Sequence, residues 1–327
     1  MDLTKVHVRM AEKIPPPIVL IHAPNDPESK LLTTDSMMVV KGPIGSGKSR
    51  LICNLVKGLV TGDDDIGMCY TILPPGSRIL YVNTELSRGY LQNRMKNLAK
   101  VCGMSEEEFE EIFIGIDLLP VPLPERKDYL VQLVLAFKPT VMIIDQVGDF
   151  VIDINMHSES TLFMEKLTTI MARHALAIIC VIHQNEERGS ASKARGSLGS
   201  ELEQKIFSGL AISKASKGVH GIVTTKIRDG KGIEKLGVSY NPATDYFVKT
   251  DVVPVTVFTP SKKLKINPDN YKHILPCTVG VLAAEIARKE GKSSRTAENY
   301  IGDLVNAGIW EKTESGTGTT IVSLLIK

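Results

Sequence analysis

The stretch Gly42-Pro43-Ile44-Gly45-Ser46-Gly47-Lys48-Ser49 satisfies the pattern G-x-x-x-x-G-K-[ST] at every fixed position. Such a loop works only between an apolar strand and a helix, so it restricts the fold of the chain around it. Its glycines let backbone N–H groups turn inward and wrap phosphate oxygens. Lys48 places a point charge on the β- and γ-phosphates of a nucleotide. Ser49 offers a hydroxyl to Mg²⁺, and a helix beginning there adds the positive end of its dipole. The flanks agree, with apolar Met38-Val39-Val40 before the loop and helical spacing over Leu51–Val60 after it. A glycine-rich turn with an incidental lysine would lack both. Gly42 to Ser49, with Arg50 directly after them, are the candidate nucleotide-binding residues.

The segments beyond the loop repeat one theme. Met37–Lys41, Arg78–Asn83, Val141–Asp145 and Leu176–His183 read as strands. Ser49–Val60, Gly89–Cys102 and Ser160–His174 read as helices between them. Such alternation predicts βαβ units and a mostly parallel α/β sheet with helices on both faces. Residues 1–36, with five prolines between Pro15 and Pro27, are expected to be an irregular lead-in to a domain ending near 250. Gly209–Ser213 and Gly221–Ile227 suggest a hairpin at the sheet edge, with one more strand near Tyr246–Val248. A linker is expected over 251–272. In 273–327, helix, turn, helix and hairpin follow one another, which is the winged-helix layout.

Composition narrows the class. No apolar run reaches the ~18 residues of a membrane helix, and Met1–Met10 has no apolar core of a signal peptide, so a cytoplasmic protein is expected. Five cysteines without a C-x-x-C pair suggest reduced thiols rather than a zinc site. A net charge of only +2 means that any nucleic-acid surface is local.

Two strands end in acids. Val141–Asp145 closes on a carboxylate suited to hold a Mg²⁺-bound water, with Asp149 and Asp153 as nearby rivals. Ile79–Glu85 closes on another, suited to act as general base on an attacking water. Spacing alone favours reading Glu85 as a surface acid after a strand.

The order phosphate loop, strand and Glu85, strand and Asp145, strand and His183-Gln184, then Lys226-Ile227-Arg228-Asp229-Gly230 resembles RecA-like ATPases. Within them it is most similar to the RepA-like replicative helicases of plasmids, phages and mobile elements. The resemblance covers about 37–250. It implies ATP and Mg²⁺ as ligands, Glu85 as catalytic base, and Ser49 and Asp145 as metal residues. His183 or Gln184 would sense the γ-phosphate; the family often has two histidines there, and RecA relatives a glutamine. Arg228, assisted by Lys226, would reach a neighbouring subunit's nucleotide in a homo-oligomeric ring, a hexamer by preference. The family's usual acid pair is here Glu85-Leu86.

The implied partner is single-stranded DNA. Glu186–Ser200 is Gly/Ser-rich and carries Arg188, Lys193 and Arg195 where RecA-like motors place a DNA-facing loop, and such a loop can track phosphates without reading sequence. Lys292 and Arg295 open the recognition helix of the winged-helix segment, a layout that also serves as a protein-binding module. Two other classes fit the same residues. One is an ATP-dependent DNA-binding regulator or loader, and the other a nucleotide-binding scaffold with little turnover.

Overall fold

The computed structural model describes residues 13–24, 26–184, 194, 196–214, 218–252, 266–306, 310–314 and 320–324. The chain divides into two compact units. The first begins with β1 (Val19–Ala23), β2 (Asp26–Thr33), β3 (Met37–Gly42), α1 (Lys48–Thr61), the two-residue β4 (Cys69–Tyr70) and β5 (Ile79–Asn83). Next come α2 (Arg88–Val101), α3 (Glu106–Ile112), β6 (Phe113–Asp117), α4 (Leu123–Phe137), β7 (Val141–Asp145), α5 (His157–His174) and β8 (Ala177–His183). It ends with α6 (Gly196–Lys205), β9 (Ser208–Lys214), β10 (Val219–Ile227), β11 (Leu236–Asn241) and β12 (Tyr246–Lys249).

Nine strands form one sheet in the order β12-β11-β10-β9-β3-β8-β7-β5-β6. The strands from β9 to β6 run parallel, and β10 to β12 continue it antiparallel. Alternate residues of each strand feed opposite cores. Met38, Val40 and Ile143 pack with Leu51, Leu55 and Leu59 of α1. Met37, Val39 and Ile144 pack with Phe163 and Leu167 of α5 and with Leu198 of α6. Both faces are therefore buried, which is why the strands read as unbroken apolar runs. A phosphate-loop strand inside this sheet, next to the strand leading to His183 and followed by those leading to Asp145 and Glu85, gives the RecA-like α/β class. Among the described residues no helix is long and apolar enough to cross a membrane.

Four expectations need correction. The lead-in is not irregular throughout, because β1 and β2 pair with each other and β1 with β4 in a small antiparallel sheet. Leu20, Ile21, Leu31 and Leu32 are buried there, while Pro24 lies in the turn and Pro27 near the start of β2, positions that strands tolerate. The β9–β10 hairpin is not the sheet edge, since β11 and β12 extend the sheet further. Gly237 hides β11 from a sequence reading; a Cβ there would come within 2.5 Å of Val252 O. The basic loop expected over 186–200 is cut short by α6, whose Leu198 and Leu202 are buried one turn apart. The linker is also shorter than 251–272, because Ile266 and Tyr271 belong to the second unit's core.

That second unit has a 3₁₀ helix (Pro268–Ile274), β13 (Cys277–Thr278), α7 (Val279–Glu290), α8 (Ser294–Asn306), β14 (Trp310–Glu314) and β15 (Thr320–Leu324). The strands form an antiparallel sheet in the order β13-β15-β14. Thr278 caps α7 by accepting from the Val281 N–H at 3.3 Å. Leu282, Ile286, Ile301, Leu304 and Val322 pack around Trp310, a fully buried core anchor.

Candidate active site

Parallel register brings the candidate residues to one edge. Gly42 stands level with His183, and Asn83 with Asp145. The helix after β3 covers one face of the sheet and the helix after β8 the other, so a crevice opens at the carboxyl ends of the strands, where α/β sheets take ligands. There a cavity of about 310 Å³ is lined by residues of the phosphate loop together with Arg50, Cys53, Glu85, Arg94, Asn97 and His183.

Gly47 turns the loop into α1 at φ 93°, and a Cβ there would come within 2.5 Å of the Phe247 ring. Only glycine meets both demands. Lys48 folds back over the loop. Its Nζ donates to Gly42 O (3.1 Å), Pro43 O (3.0 Å) and His183 Nδ1 (2.9 Å). Burial lowers its pKa, against the opposing pull of Glu85 and Asp145.

Of the three acids near the end of β7, Asp145 is the one that meets Ser49, whose Oγ donates to Asp145 Oδ2 at 3.2 Å. Asp149 instead accepts from Thr84 Oγ1 at 2.9 Å, and Asp153 from the Asn155 N–H at 2.8 Å. Asp145 is 2% exposed. Its Oδ2 also accepts from the Tyr81 hydroxyl and lies 3.6 Å from Arg94 Nη1, which in turn donates to Tyr81 OH at 2.7 Å. Its Oδ1 and Ser46 Oγ are buried without a hydrogen-bond partner among the described residues.

Glu85 stands two residues beyond β5 at the mouth of the cavity. Partial burial and then the charge of Asp145 raise its pKa, with Lys48 pulling the other way. Such a carboxylate is more basic than one in water, as a general base requires. Tyr81 is raised well above its ordinary value by burial and by Asp145, so it remains a neutral donor.

His183 and Gln184 diverge. His183 lines the cavity against Lys48. Gln184 is buried; its N–H donates to Gly42 O at 3.1 Å, and it is not among the lining residues. Lys226 and Arg228 lie outside the cavity. The Lys226 Nζ donates to Glu203 O, and to Gln204 O at 3.2 Å. Arg228 donates to Ile206 O (3.0 Å) and Gln204 O (3.1 Å). Both thus cap the carboxyl end of α6 rather than standing as solvated charges. Arg188, Lys193 and Arg195 lie outside the described residues. Lys292 and Arg295 are exposed at the start of α8, which Ser293 caps by accepting from the Thr296 N–H at 3.2 Å.

Tyr81, Arg94 and Asn97 are among the site residues that sequence reasoning missed, as are the cavity-lining Cys53, Asp245 and Tyr246. Arg94 and Asn97 share one face of α2 at helical spacing, and that spacing is the only local signal they give.

No protein-family model matches the chain, and a search of the curated proteins finds no match. Among solved structures, the RadB recombinase aligns at a TM-score of 0.49 with 17% identity, over 67% of this chain and 93% of its own. A KaiC-like protein from Pyrococcus horikoshii OT3 aligns at 0.48 with 14% identity, over 72% and 100%. The strand order, not these similarities, defines the fold class.

The residues at the cavity fit a magnesium nucleotide. Asp145 Oδ1 is a buried carboxylate oxygen without a partner among the described residues, and the other oxygen of the same carboxylate accepts from the Ser49 hydroxyl. Among the described residues there is no cluster of three or more His, Cys, Asp or Glu able to hold a metal alone. One hydroxyl and one carboxylate suit Mg²⁺, which keeps waters and takes phosphate oxygens as its other ligands.

Proposed function

We propose that this chain is an ATP-driven DNA motor, a ring-forming replicative helicase of the RepA-like kind. The observation that carries the reading is that Lys48, Ser49 and Glu85 line one cavity at the phosphate loop, with the buried Asp145 directly behind Ser49 and hydrogen-bonded to it. Lys48 would leave its own carbonyls for the β- and γ-phosphates. Ser49 and Asp145 would hold Mg²⁺, which when bound neutralises charge on the phosphate oxygens. Glu85 would take a proton from the attacking water. His183, placed on Lys48, is the better situated of the two sensor candidates.

The strand register limits how Arg228 could act. Lys226 pairs at the level of Gly209, which stands level with Val39, well before the loop at the end of β3. Arg228 therefore lies toward the opposite end of the sheet from its own phosphate loop, and a part in hydrolysis requires a neighbour's site. Single-stranded DNA would run along the basic residues Arg188, Lys193 and Arg195. The second unit, read as a winged helix, adds Lys292 and Arg295.

Phosphate release with and without single-stranded DNA, alongside strand displacement, tests the proposal. A motor does both, and Lys48→Ala abolishes both together with tight ATP binding. Hydrolysis without displacement points to a loader or regulator, the reading that the second unit favours. Binding without hydrolysis leaves a scaffold.

A further inference from the structure

One histidine reaches the phosphate loop from behind. His220 lies on β10 and is 5% exposed, with its Nδ1 2.8 Å from Ser46 O. A carbonyl only accepts, so Nδ1 carries the proton. Burial lowers the pKa of the ring, only partly offset by the bond to Ser46, so the imidazole is neutral at pH 7 and still donates. The ring packs on Phe247, with centroids 4.8 Å apart and planes at 51°. Phe247 is itself fixed to α1, its carbonyl accepting from Asn54 Nδ2 at 2.8 Å and its N–H donating to Asn54 Oδ1 at 3.1 Å. Together the two rings form a floor beneath Ser46 and Gly47.

The Ser46–Gly47 peptide is trans. In a trans peptide the carbonyl and the next residue's N–H point in opposite directions. Drawing the Ser46 carbonyl down onto His220 turns the Gly47 N–H up toward the cavity that Gly47 lines. Gly47, at φ 93°, adds conformational freedom on the C-terminal side of this peptide, so a bond from outside the loop has an orientation to fix. A rotated peptide would present a carbonyl, not a donor, to the phosphates.

We propose that His220 is a positioning residue that presets the Ser46–Gly47 peptide so that its N–H faces the phosphates of the bound nucleotide. This rests on the phosphate-loop reading above. It concerns ground-state binding, so ADP serves as the probe and metal is not needed.

The test is calorimetric titration of ADP into the full chain and into the variants His220→Phe, His220→Asn and Lys48→Ala, with the Tm of each. Phenylalanine keeps the ring on Phe247 and removes the donor; asparagine returns an N–H close to where Nδ1 stood. Losing one hydrogen bond should weaken ADP binding by roughly three- to tenfold in His220→Phe, and His220→Asn should return to within about twofold of wild type. The recovery should come without a gain in Tm, which a merely structural role would demand. Wild-type affinity in His220→Phe overturns the proposal, as does an asparagine variant no better than phenylalanine. A second measurement is independent of how the variants fold. NMR of the ¹⁵N-histidine-labelled wild type should place the His220 proton on Nδ1, and a proton on Nε2 overturns the proposal. Failure of the underlying reading looks different, because Lys48→Ala and wild type would then bind ADP equally or not at all.

Discussion

Asp145 gathers its donors on one oxygen. Ser49 and Tyr81 hydrogen-bond to Oδ2, and Arg94 approaches it from 3.6 Å, while Oδ1 has no partner among the described residues. The Tyr81 hydroxyl fixes the carboxylate's rotation without touching a ligand. Outer partners of this kind typically contribute 10–100-fold to metal affinity. Tyr81→Phe should therefore raise the Mg²⁺ concentration needed for half-maximal phosphate release by about tenfold or more, with activity recovered at high Mg²⁺. A magnesium titration checks this. Glu85 makes a separate prediction. Its pKa is raised, so the folded protein holds this proton more tightly than the unfolded chain does, and ionising it costs stability as pH rises through the folded value. Glu85→Gln should thus melt at the same temperature as wild type or higher at pH 8, and the difference should vanish below pH ~4. If Glu85 is the base, the acid limb of phosphate release in the wild type should lie above the ordinary glutamate range near 4.3. Glu85 and Asp145 were legible because each closes an apolar run. Tyr81 was not, because a strand tyrosine looks like core until the partner of its hydroxyl is seen.

At the scale of elements, β3 and α1 are the most constrained pieces. Leu51, Leu55 and Leu59 are fully buried at i, i+4, i+8 on α1, and they hold the helix whose first turn carries Lys48 and Ser49. Leu55→Ala should destabilise the domain by about 2–5 kcal/mol, read as a lower midpoint in urea unfolding. The apolar runs over β3, β5, β7 and β8 were readable to within a residue or so because both sheet faces are buried. Elements whose cues conflict were not. Proline masked β1 and β2. Gly115 splits β6, where a Cβ would come within 2.5 Å of Met95 Sδ. A Gly/Ser-rich start made α6 look like loop, although two buried leucines commit it to helix. The capping of α6 by Lys226 and Arg228 is a long-range contact, with no trace in local spacing.

For the whole molecule, the distance of Arg228 from its own loop has a direct consequence. If Arg228 is a finger, Arg228→Ala supplies a sound phosphate loop without it, and Lys48→Ala a finger without a usable loop. Each alone should be nearly inactive, since fingers of this kind contribute ~10³–10⁵ in rate. Mixed rings should recover part of the phosphate release if Arg228 acts across an interface. Proven subunit exchange without recovery would refute that role. Any such role requires that the cavity bind ATP and that Glu85 activate the water which cleaves it. The most direct test is Glu85→Gln, with MgATP binding by calorimetry and phosphate release measured on the same preparation. The expected result is wild-type affinity with release slowed by ~10²-fold or more, the scale of a lost general base. Release at the wild-type rate would contradict the claim.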